Sequence, residues 1–354
     1  MKPLDLRNIL VVQTAFLGDV ILTVPLVQSL KHHFPSAAID IVVIPRSAEL
    51  LEHHPAIRTA VIFDKRGKDA GLKGLLRLSK ELCHNNYDLA VVPHRSFRSA
   101  LLVRMAKIPR RIGFNRSSGK FFFTDVVRYV PTLHEVDRNA KLLEPLGVHS
   151  QEREFPQLFP SRQDDEIVDR FLLNHGITTV DRVVGVAPGT IWNTKRWLQE
   201  RFIEVIKQLT ADNLSVVLVG GSDDAEVCRQ ICEGSSSSRV YSAAGTLSLL
   251  QSASLIKRCR VLLCNDSAPM HLAVAMHTPV VSIFGATVPE FGFAPYGKYD
   301  VVVEIKGLPC RPCTIHGGDR CPIRTFDCMN KISSDMVYEK VLEVLKASDA
   351  IRRT

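Results

Sequence analysis

The sequence predicts an α/β protein of two Rossmann-like halves, each a parallel sheet with helices on both faces. Short apolar runs of strand length alternate with segments of helical periodicity, which is the pattern of a doubly wound sheet. A polar, proline-containing stretch at residues 151–165 interrupts the alternation, which then restarts. A chain of 354 residues is also longer than a single hydrophobic core usually accommodates. We therefore expect domains at residues 1–160 and 161–333, and a closing helix at 334–354.

The first half contains the apolar runs and periodic segments of a complete α/β domain. The expected strands are Ile9–Val12, Ile39–Ile44, Val61–Phe63, Leu89–Val92 and Arg111–Phe114. The expected helices are Val20–Phe34, Leu72–Cys83 and Ser99–Lys107. Pro35 ends the first helix because proline cannot continue a helical hydrogen-bond ladder.

The second half repeats this pattern. Its expected strands are Val183–Ala187, Ser215–Val219, Val261–Cys264 and Val280–Ile283. Its expected helices are Asp165–His175, Leu198–Leu209, one opening at Gly220–Glu226, Leu247–Lys257, one ending near Met276, and Ser334–Ala347. The last of these has apolar residues at helical spacing, so it should pack back on the body.

Composition favours a cytoplasmic globular protein. Hydrophobic residues make up 45% of the chain, and no apolar run approaches the ~20 residues of a bilayer span. Met1–Arg7 leads directly into the first strand, so we expect no signal peptide. Nine cysteines is an odd number, and most lie in expected core segments, which favours a reducing compartment.

Positive charge is concentrated in the first half. Of the net charge of +8, residues 1–165 contribute +7, from 24 Lys and Arg against 17 Asp and Glu. The segment Arg95–Lys120 has eight basic residues and no acidic residue. Such a segment suits an anionic partner, although a solvated cationic surface is an equally simple interpretation.

The segment Val261–Gly285 contains a strand, a polar turn, a helix and a strand. The turn Asn265–Ser267 has N-cap chemistry, and Pro269 suits the first turn of a helix. Ligands of α/β sheets bind at this end of a strand, and a helix N-terminus favours an anion. His271 lies one turn into the helix and Thr287 follows the next strand. This convergence favours a binding site over an ordinary capped helix.

One loop of the first half has residues suited to proton transfer. Thr14–Asp19 joins the first strand to the first helix. We expect Gly18 to let the backbone bend sharply, so that Asp19 points its carboxylate into a cleft as a general base. The alternative is that Asp19 only caps the helix.

Two loops of the second half suit a nucleoside diphosphate. Thr190 and Lys195 follow a strand and can reach phosphate oxygens, unless Trp197 merely anchors a surface loop. An acid within Gly220–Glu226 can bind ribose hydroxyls, unless these acids only cap a helix. A cation, an acid and a helix N-terminus on neighbouring strands are more specific together than any one loop.

These motifs resemble the ADP-heptose:lipopolysaccharide heptosyltransferases of glycosyltransferase family nine. The resemblance runs from about Asn8 to the closing helix. It rests on Gly18-Asp19 with Thr23–Pro25, on Pro188–Trp197, on Gly220–Asp223 and on Asn265–His271. It implies a GT-B fold, with two Rossmann-like domains facing a central cleft. The first domain would bind the acceptor and the second ADP-heptose.

The resemblance also implies a reaction and its residues. Heptose would pass with inversion, and without a metal, from ADP-heptose to the first heptose of the lipopolysaccharide inner core, or to another inner-core acceptor. Asp19 would be the base, and Lys195 would stabilise the departing ADP. The implied donor-binding residues are Thr190, Lys195, Asp223 or Glu226, Asp266, Ser267, Ala268 and His271. The implied acceptor-binding residues are Thr14, Gly18, Arg95, Arg98 and Arg116. A glycolipid acceptor implies a peripheral protein, held by charge on the anionic inner face of the inner membrane.

Four cysteines near the end of the chain form a separate cluster. Cys310, Cys313, Cys321 and Cys328 lie within nineteen residues, with spacings of two, seven and six. A structural zinc is one interpretation, but the second pair is too widely spaced for a common zinc ribbon. The other is reduced thiols closing a loop. No catalytic role is expected, and no cofactor is required.

The residues, taken without the family resemblance, leave two other functions to consider. A nicotinamide oxidoreductase would also have Rossmann-like halves, but neither leading strand is followed by GxGxxG. A nucleic-acid-binding protein would use Arg95–Lys120 and a metal at the cysteines, but that basic segment has few aromatic residues. We expect no nucleic-acid partner.

Overall fold

The computed structural model describes residues 6–149, 152–178 and 182–352. The chain divides into two compact units, Met1–Phe159 (unit 1) and Pro160–Thr354 (unit 2). Three sequence expectations lie partly outside the described residues: Met1–Asp5 of the expected N-terminus, Gln151 of the polar stretch, and the last two residues of the closing helix.

Unit 1 is a parallel six-stranded sheet in the order β3-β2-β1-β4-β5-β6. Its strands are β1 (Asn8–Val12), β2 (Ala38–Val43), β3 (Thr59–Ile62), β4 (Leu89–Val92), β5 (Arg110–Phe114) and β6 (Asp125–Val127). Its helices are α1 (Leu17–Ile21), α2 (Val24–His33), α3 (Pro45–Ala48), α4 (Gly71–Cys83), α5 (Phe97–Met105) and α6 (Glu135–Lys141).

The strand order of unit 1 reverses between β1 and β4. Both strands are almost entirely buried because helices cover the two faces of the sheet, and Ile9 is in register with Leu89. The chain leaves these strands in opposite directions, which opens a crevice at their carboxyl ends. The loops that follow β1 and β4 form what we call the unit 1 switch point.

Unit 2 has the same topology, with the sheet order β12-β11-β10-β7-β8-β9. Its strands are β7 (Val183–Ala187), β8 (Ser215–Leu218), β9 (Val240–Ser242), β10 (Val261–Asn265), β11 (Val280–Phe284) and β12 (Val301–Glu304). Its helices are α7 (Arg162–Asn174), α8 (Gln199–Ala211), α9 (Ala225–Ser235), α10 (Leu249–Arg258), α11 (Ala268–Ala275), α12 (Asp327–Asn330) and α13 (Ser334–Arg352). The loops after β7 and β10 form the unit 2 switch point.

The closing helix α13 belongs to the core of unit 2. Val337, Val341 and Leu345 are fully buried, in one apolar cluster with Leu263 of β10 and with Trp197. The helix therefore covers the sheet of unit 2 with an apolar stripe of helical period. Within the described ranges, no helix has both the length and the apolar composition needed to cross a bilayer.

The parallel, doubly wound architecture predicted from the sequence is confirmed in both sheets. One predicted helix, Val20–Phe34, is wrong in detail, because the structure has two helices there. Thr23 is the N-cap of α2, and Pro25 lies at its start, where a missing backbone N–H costs nothing. The strands β6, β9 and β12 were not predicted, since each is a short edge strand with a partly exposed side and a weak apolar pattern. The helices α3, α6 and α12 were also missed.

Candidate functional site

The unit 1 switch point contains a network of hydroxyl, imidazole and ammonium groups. Thr14, after β1, has its Oγ1 2.9 Å from Nδ1 of His94, after β4. The same His94 nitrogen lies 2.9 Å from Oγ of Ser99 on α5. Lys65 Nζ donates to the Thr14 carbonyl oxygen at 2.5 Å. The network therefore ties together the two loops where the sheet order reverses.

Two groups of this network have shifted pKa values. Burial, together with the charges of Lys65 and Arg95, lowers the pKa of His94 to about 4, so its ring is neutral at physiological pH. Burial also lowers the pKa of Lys65, helped by the positive charges of Arg98 and Arg66. The switch point thus favours neutral or anionic occupants over additional cations.

Asp19 lies in the first turn of α1, one residue after Gly18. Its Oδ2 accepts a hydrogen bond from the Phe16 N–H at 3.2 Å, so the side chain does cap the helix. The Asp19 carbonyl accepts from Thr23 Oγ1 at 2.8 Å. Gly18 is itself a helical residue, so the sharp glycine bend expected at this position is wrong. The carboxylate is placed by the helix start rather than by a glycine turn.

Despite the capping hydrogen bond, the pKa of Asp19 differs from that of an ordinary carboxyl. Burial raises the pKa of its carboxyl to about 7, and the nearby negative charge of Glu135 adds to the shift. Arg95 and the Phe16 N–H act in the opposite direction but are outweighed. A carboxylate with a pKa near neutrality is suited to accept a proton from a hydroxyl group.

Three arginines surround the ring of Tyr129. The guanidinium carbons of Arg95, Arg138 and Arg116 lie 4.4, 5.1 and 5.6 Å from the ring centroid. Arg138 is buried and pairs with Glu135 at 2.7 Å, whereas Arg95 is half-buried and Arg116 is exposed. The structure thus brings two of the predicted acceptor-binding arginines together around one aromatic ring.

Arg98, the third predicted acceptor-binding arginine, has a different environment. Its Nη2 donates to the carbonyl oxygens of Asp69 and Gly71, each at 3.2 Å. Its guanidinium carbon also lies 5.3 Å from the Phe63 ring centroid. These contacts join the first turn of α5 to the start of α4, which is a structural role.

The unit 2 switch point is built around an ion pair. Lys195, in the 3-10 turn Asn193–Lys195 after β7, has its Nζ 2.7 Å from Oδ2 of Asp266, which follows β10. The same oxygen accepts a hydrogen bond from Thr287 Oγ1 at 2.6 Å. Asp266 is buried and Lys195 is largely so. Three polar residues that the sequence singled out therefore converge at one point.

Asn265 holds the Lys195 loop against the end of β10. Its Oδ1 accepts from the Trp197 N–H at 3.0 Å, and its Nδ2 donates to the Pro188 carbonyl at 2.7 Å. The Trp197 ring is buried, and its Nε1 donates to the Ile332 carbonyl at 3.2 Å. Trp197 is therefore an anchor, but the loop that it anchors also carries Lys195.

Thr190 lies on the loop between β7 and the Lys195 turn, and it is half-buried. Its carbonyl oxygen accepts a hydrogen bond from Nη2 of Arg196 at 2.8 Å. This contact shapes the loop through the backbone of Thr190 rather than through its hydroxyl. Thr190 thus lies on the same loop as Lys195, as the sequence predicted.

The N-terminus of α11 begins directly after Asp266. Ser267 is the N-cap, but its hydroxyl makes no capping bond to the helix. Ala268 opens the first turn, and His271 is buried further along the helix. The positive end of the helix dipole therefore lies beside the Lys195–Asp266 pair.

The acids after β8 occupy three distinct positions. Asp224 accepts from the Gly221 N–H at 3.0 Å, and a β-carbon on Gly189 would collide with its carboxylate. Asp223 is exposed beside it. Glu226 is exposed on α9 and pairs with Arg229 at 2.7 Å, which holds its pKa below the usual range. Asp224, which sequence reasoning missed, is the acid in contact with the loop after β7.

The cysteine-containing loop braces the unit 2 switch point. Thr194 exchanges two hydrogen bonds with Gly318, at 3.0 and 2.8 Å. The Cys313 N–H donates to the Ala286 carbonyl at 2.9 Å, and Arg311 donates to the Thr287 carbonyl at 2.6 Å. The loop is therefore tied to residues on both sides of the Lys195–Asp266 pair.

The four clustered cysteines are free thiols. Burial raises the pKa of Cys313 and raises that of Cys328 to about 11. Among the residues that the structure describes, no three His, Cys, Asp or Glu side chains are placed to hold a metal ion. The geometry therefore gives no support to the zinc interpretation of this cluster.

Comparison with known proteins gives the family. The model of glycosyltransferase family 9 (heptosyltransferase) matches residues 75–318. This chain belongs to glycosyltransferase family 9. It is therefore a glycosyltransferase, as the resemblance implied, and the oxidoreductase interpretation is wrong.

Relatives of this family 9 glycosyltransferase agree with that assignment. Lipopolysaccharide heptosyltransferase 3 of Escherichia coli is 30% identical over 77% of this chain and 82% of its own length. Lipopolysaccharide heptosyltransferase 2 of Salmonella typhimurium is 29% identical over 80% and 84%. The solved structure of E. coli ADP-heptose lps heptosyltransferase II matches with a TM-score of 0.79 and 25% identity, over 97% of this chain and 99% of that chain. The predicted α/β, GT-B fold class is confirmed.

Proposed function

We propose that this family 9 glycosyltransferase transfers heptose from ADP-heptose to the first heptose of the lipopolysaccharide inner core. The names of its relatives suggest the donor and the glycolipid class. The observation that supports it most is the Lys195–Asp266 pair beside the N-terminus of α11. A cation and a helix N-terminus together favour the diphosphate of the donor.

The donor would bind at the unit 2 switch point. Lys195 has three N–H donors and uses one for Asp266, so the others can reach phosphate oxygens. Asp266 then acts by positioning Lys195, and the amides of Ser267 and Ala268 would face the diphosphate. Thr190 and His271 complete this part of the proposed donor site.

The ribose of the donor would be bound by an acid after β8. Asp224 is better placed than Glu226 for this role, because Asp224 contacts the loop after β7. Glu226 is instead engaged by Arg229. We therefore assign the ribose hydroxyls to Asp224 in this proposal.

The acceptor would bind at the unit 1 switch point. Asp19 would take the proton from the acceptor hydroxyl, and that oxygen would form a bond to the anomeric carbon of the donor. The bond from that carbon to the ADP oxygen would break at the same time, with inversion, and ADP would leave with the electron pair. Thr14, Arg95 and Arg116 would bind the acceptor. No metal or other cofactor is required in this proposal.

Transfer of the heptosyltransferase 1 or 3 type, to another inner-core acceptor, is a second candidate. The support for it is that heptosyltransferase 3 of E. coli is 30% identical to this chain. That value is close to the 29% and 28% identities of heptosyltransferase 2 from S. typhimurium and E. coli. A bilayer-embedded acceptor would place the protein on the cytoplasmic face of the inner membrane, held by its basic segment.

The test is release of ADP from ADP-heptose with three acceptors in parallel. They are lipid A bearing only Kdo, the same molecule with one heptose, and the same molecule with two. Release with the second acceptor alone supports the proposal. Release with only the first or only the third reassigns the acceptor, and release with none of them contradicts the proposed substrates.

A further inference from the structure

An exposed apolar patch lies beside the unit 1 switch point. We call it the docking patch, and it consists of Leu72 and Leu76 of α4, Phe97 of α5, and Phe121 of the 3-10 turn Lys120–Phe122. The ring centroids of Phe97 and Phe121 are 6.2 Å apart. All four side chains are exposed, and Phe121 is the most accessible at 68%.

The patch combines an aromatic cluster with two leucines on the neighbouring helix. Phe122 packs against the core of unit 1 with its ring 5.6 Å from that of Phe97, which leaves Phe121 directed outward. Arg98 bonds to the Gly71 carbonyl, so the first turn of α4 lies beside the first turn of α5. Isolated exposed apolar residues are ordinary, but an aromatic cluster extended by two leucines marks an interaction surface.

Positively charged residues adjoin the docking patch in the chain. Lys120 and Lys73 are exposed and adjoin Phe121 and Leu72 in the chain, and Arg104 is exposed on α5. The basic segment of residues 95–120, with eight basic residues and no acidic one, includes one aromatic residue of the patch and ends next to the other. Aromatic rings flanked by Lys and Arg match the interfacial region of an anionic bilayer.

We propose that the docking patch inserts into the interface of an anionic phospholipid bilayer. Phe97 and Phe121 would enter the headgroup region while Lys73 and Lys120 contact acidic headgroups. Phe97 begins α5 directly after the loop that carries His94, so docking would bring the unit 1 switch point to the membrane. This inference rests on the proposed function, because it assumes an acceptor embedded in that membrane.

The test is sedimentation of the full-length protein with vesicles of phosphatidylcholine alone or with one third phosphatidylglycerol. The variant combines Phe97→Ser and Phe121→Ser. Its binding to the anionic vesicles should fall at least roughly tenfold, because each ring loses its apolar burial. The matched control is Leu173→Ser on α7 of unit 2, whose side chain is 66% exposed, and it should bind as the parent does. Equal binding of the double variant, or no binding by the parent, would overturn the proposal.

A second readout separates this inference from the proposed function. The double variant should lose turnover with a vesicle-embedded acceptor but keep it with the same acceptor stripped of its acyl chains. If turnover is absent with both forms for the parent protein, the proposed substrates are wrong, whatever the vesicle result. If the double variant keeps full turnover with both forms, the docking patch has no role in reaching the acceptor.

Discussion

The two switch points share one sheet topology but differ in their chemistry. In unit 1 the loops after β1 and β4 meet through the neutral groups of Thr14 and His94, with Asp19 nearby at a pKa of about 7. In unit 2 the equivalent loops meet through the ion pair of Lys195 and Asp266. The topology fixes where a ligand can bind, whereas the loop residues decide what it is. Unit 1 suits proton transfer, and unit 2 suits an anionic leaving group.

Asp19→Asn should produce the largest effect and should be confined to unit 1. Transfer should fall by about 10²- to 10⁴-fold because the general base is lost. Affinity for ADP should stay unchanged, because we place the diphosphate at the other switch point. Turnover and ADP titration calorimetry measure the two effects, with the surface variant Glu144→Gln as the control. Near-normal turnover would remove Asp19 from the base role.

Lys195→Met should act on the unit 2 switch point. It should weaken ADP binding by roughly 10- to 100-fold, the effect of losing a charge-assisted hydrogen bond. It also leaves Asp266 buried without its cation, so the free energy of unfolding should fall by about 3 kcal/mol. Adding Asp266→Asn should restore stability without restoring ADP binding. Unchanged ADP affinity in the single variant would mean that Lys195 does not contact the diphosphate.

Asp224→Asn should have a smaller effect on the donor site. ADP affinity should fall by about threefold to tenfold if Asp224 binds a ribose hydroxyl. Glu226→Gln is the matched control and should leave ADP affinity unchanged, because Arg229 already engages that carboxylate. The opposite ranking of the two variants in an ADP titration would return the ribose role to Glu226.

Glu135→Gln should give the smallest change in activity, a shift in pH dependence. It also removes the charged partner of the buried Arg138, so the free energy of unfolding should fall. The Glu135 charge raises the pKa of Asp19, so its removal should lower that pKa. The rising limb of the pH profile of kcat/KM should therefore move to lower pH. A profile that keeps its midpoint would show that Glu135 does not act on the ionisation of the base.

Local patterns in the sequence predicted most of the fold and the position of both switch points. The buried runs of β1, β7 and β10 and the polar turns after them are encoded by neighbouring residues, so they could be recognised without a structure. The sequence also placed the Lys195 loop and the turn that contains Asp266 at neighbouring strand ends, but the contact between these two side chains, which lie far apart in the chain, required the structure.

Other site residues could not be found in this way. Lys65 and Glu135 give no local signal, and they matter only because the fold places them near Thr14 and Asp19. Asp224 was overlooked because its neighbour in the chain is also an acid, and only the close approach of the loop after β7 distinguishes the two. Side-chain roles that depend on long-range contacts therefore required the structure.

The most direct test of the division of roles between the two units is a pair of pH profiles. Both run from about pH 5.5 to 8.5, the range in which a carboxyl with a pKa near 7 titrates. One is kcat/KM for transfer by the parent protein. The other is the Kd of ADP-heptose for the Asp19→Asn variant, measured without acceptor, so that turnover does not consume the donor. Because burial raises the pKa of Asp19 to about 7, transfer should rise with pH through a midpoint near 7. The donor affinity should stay flat. A flat transfer profile, or a donor affinity that changes in parallel with it, would contradict this division of roles.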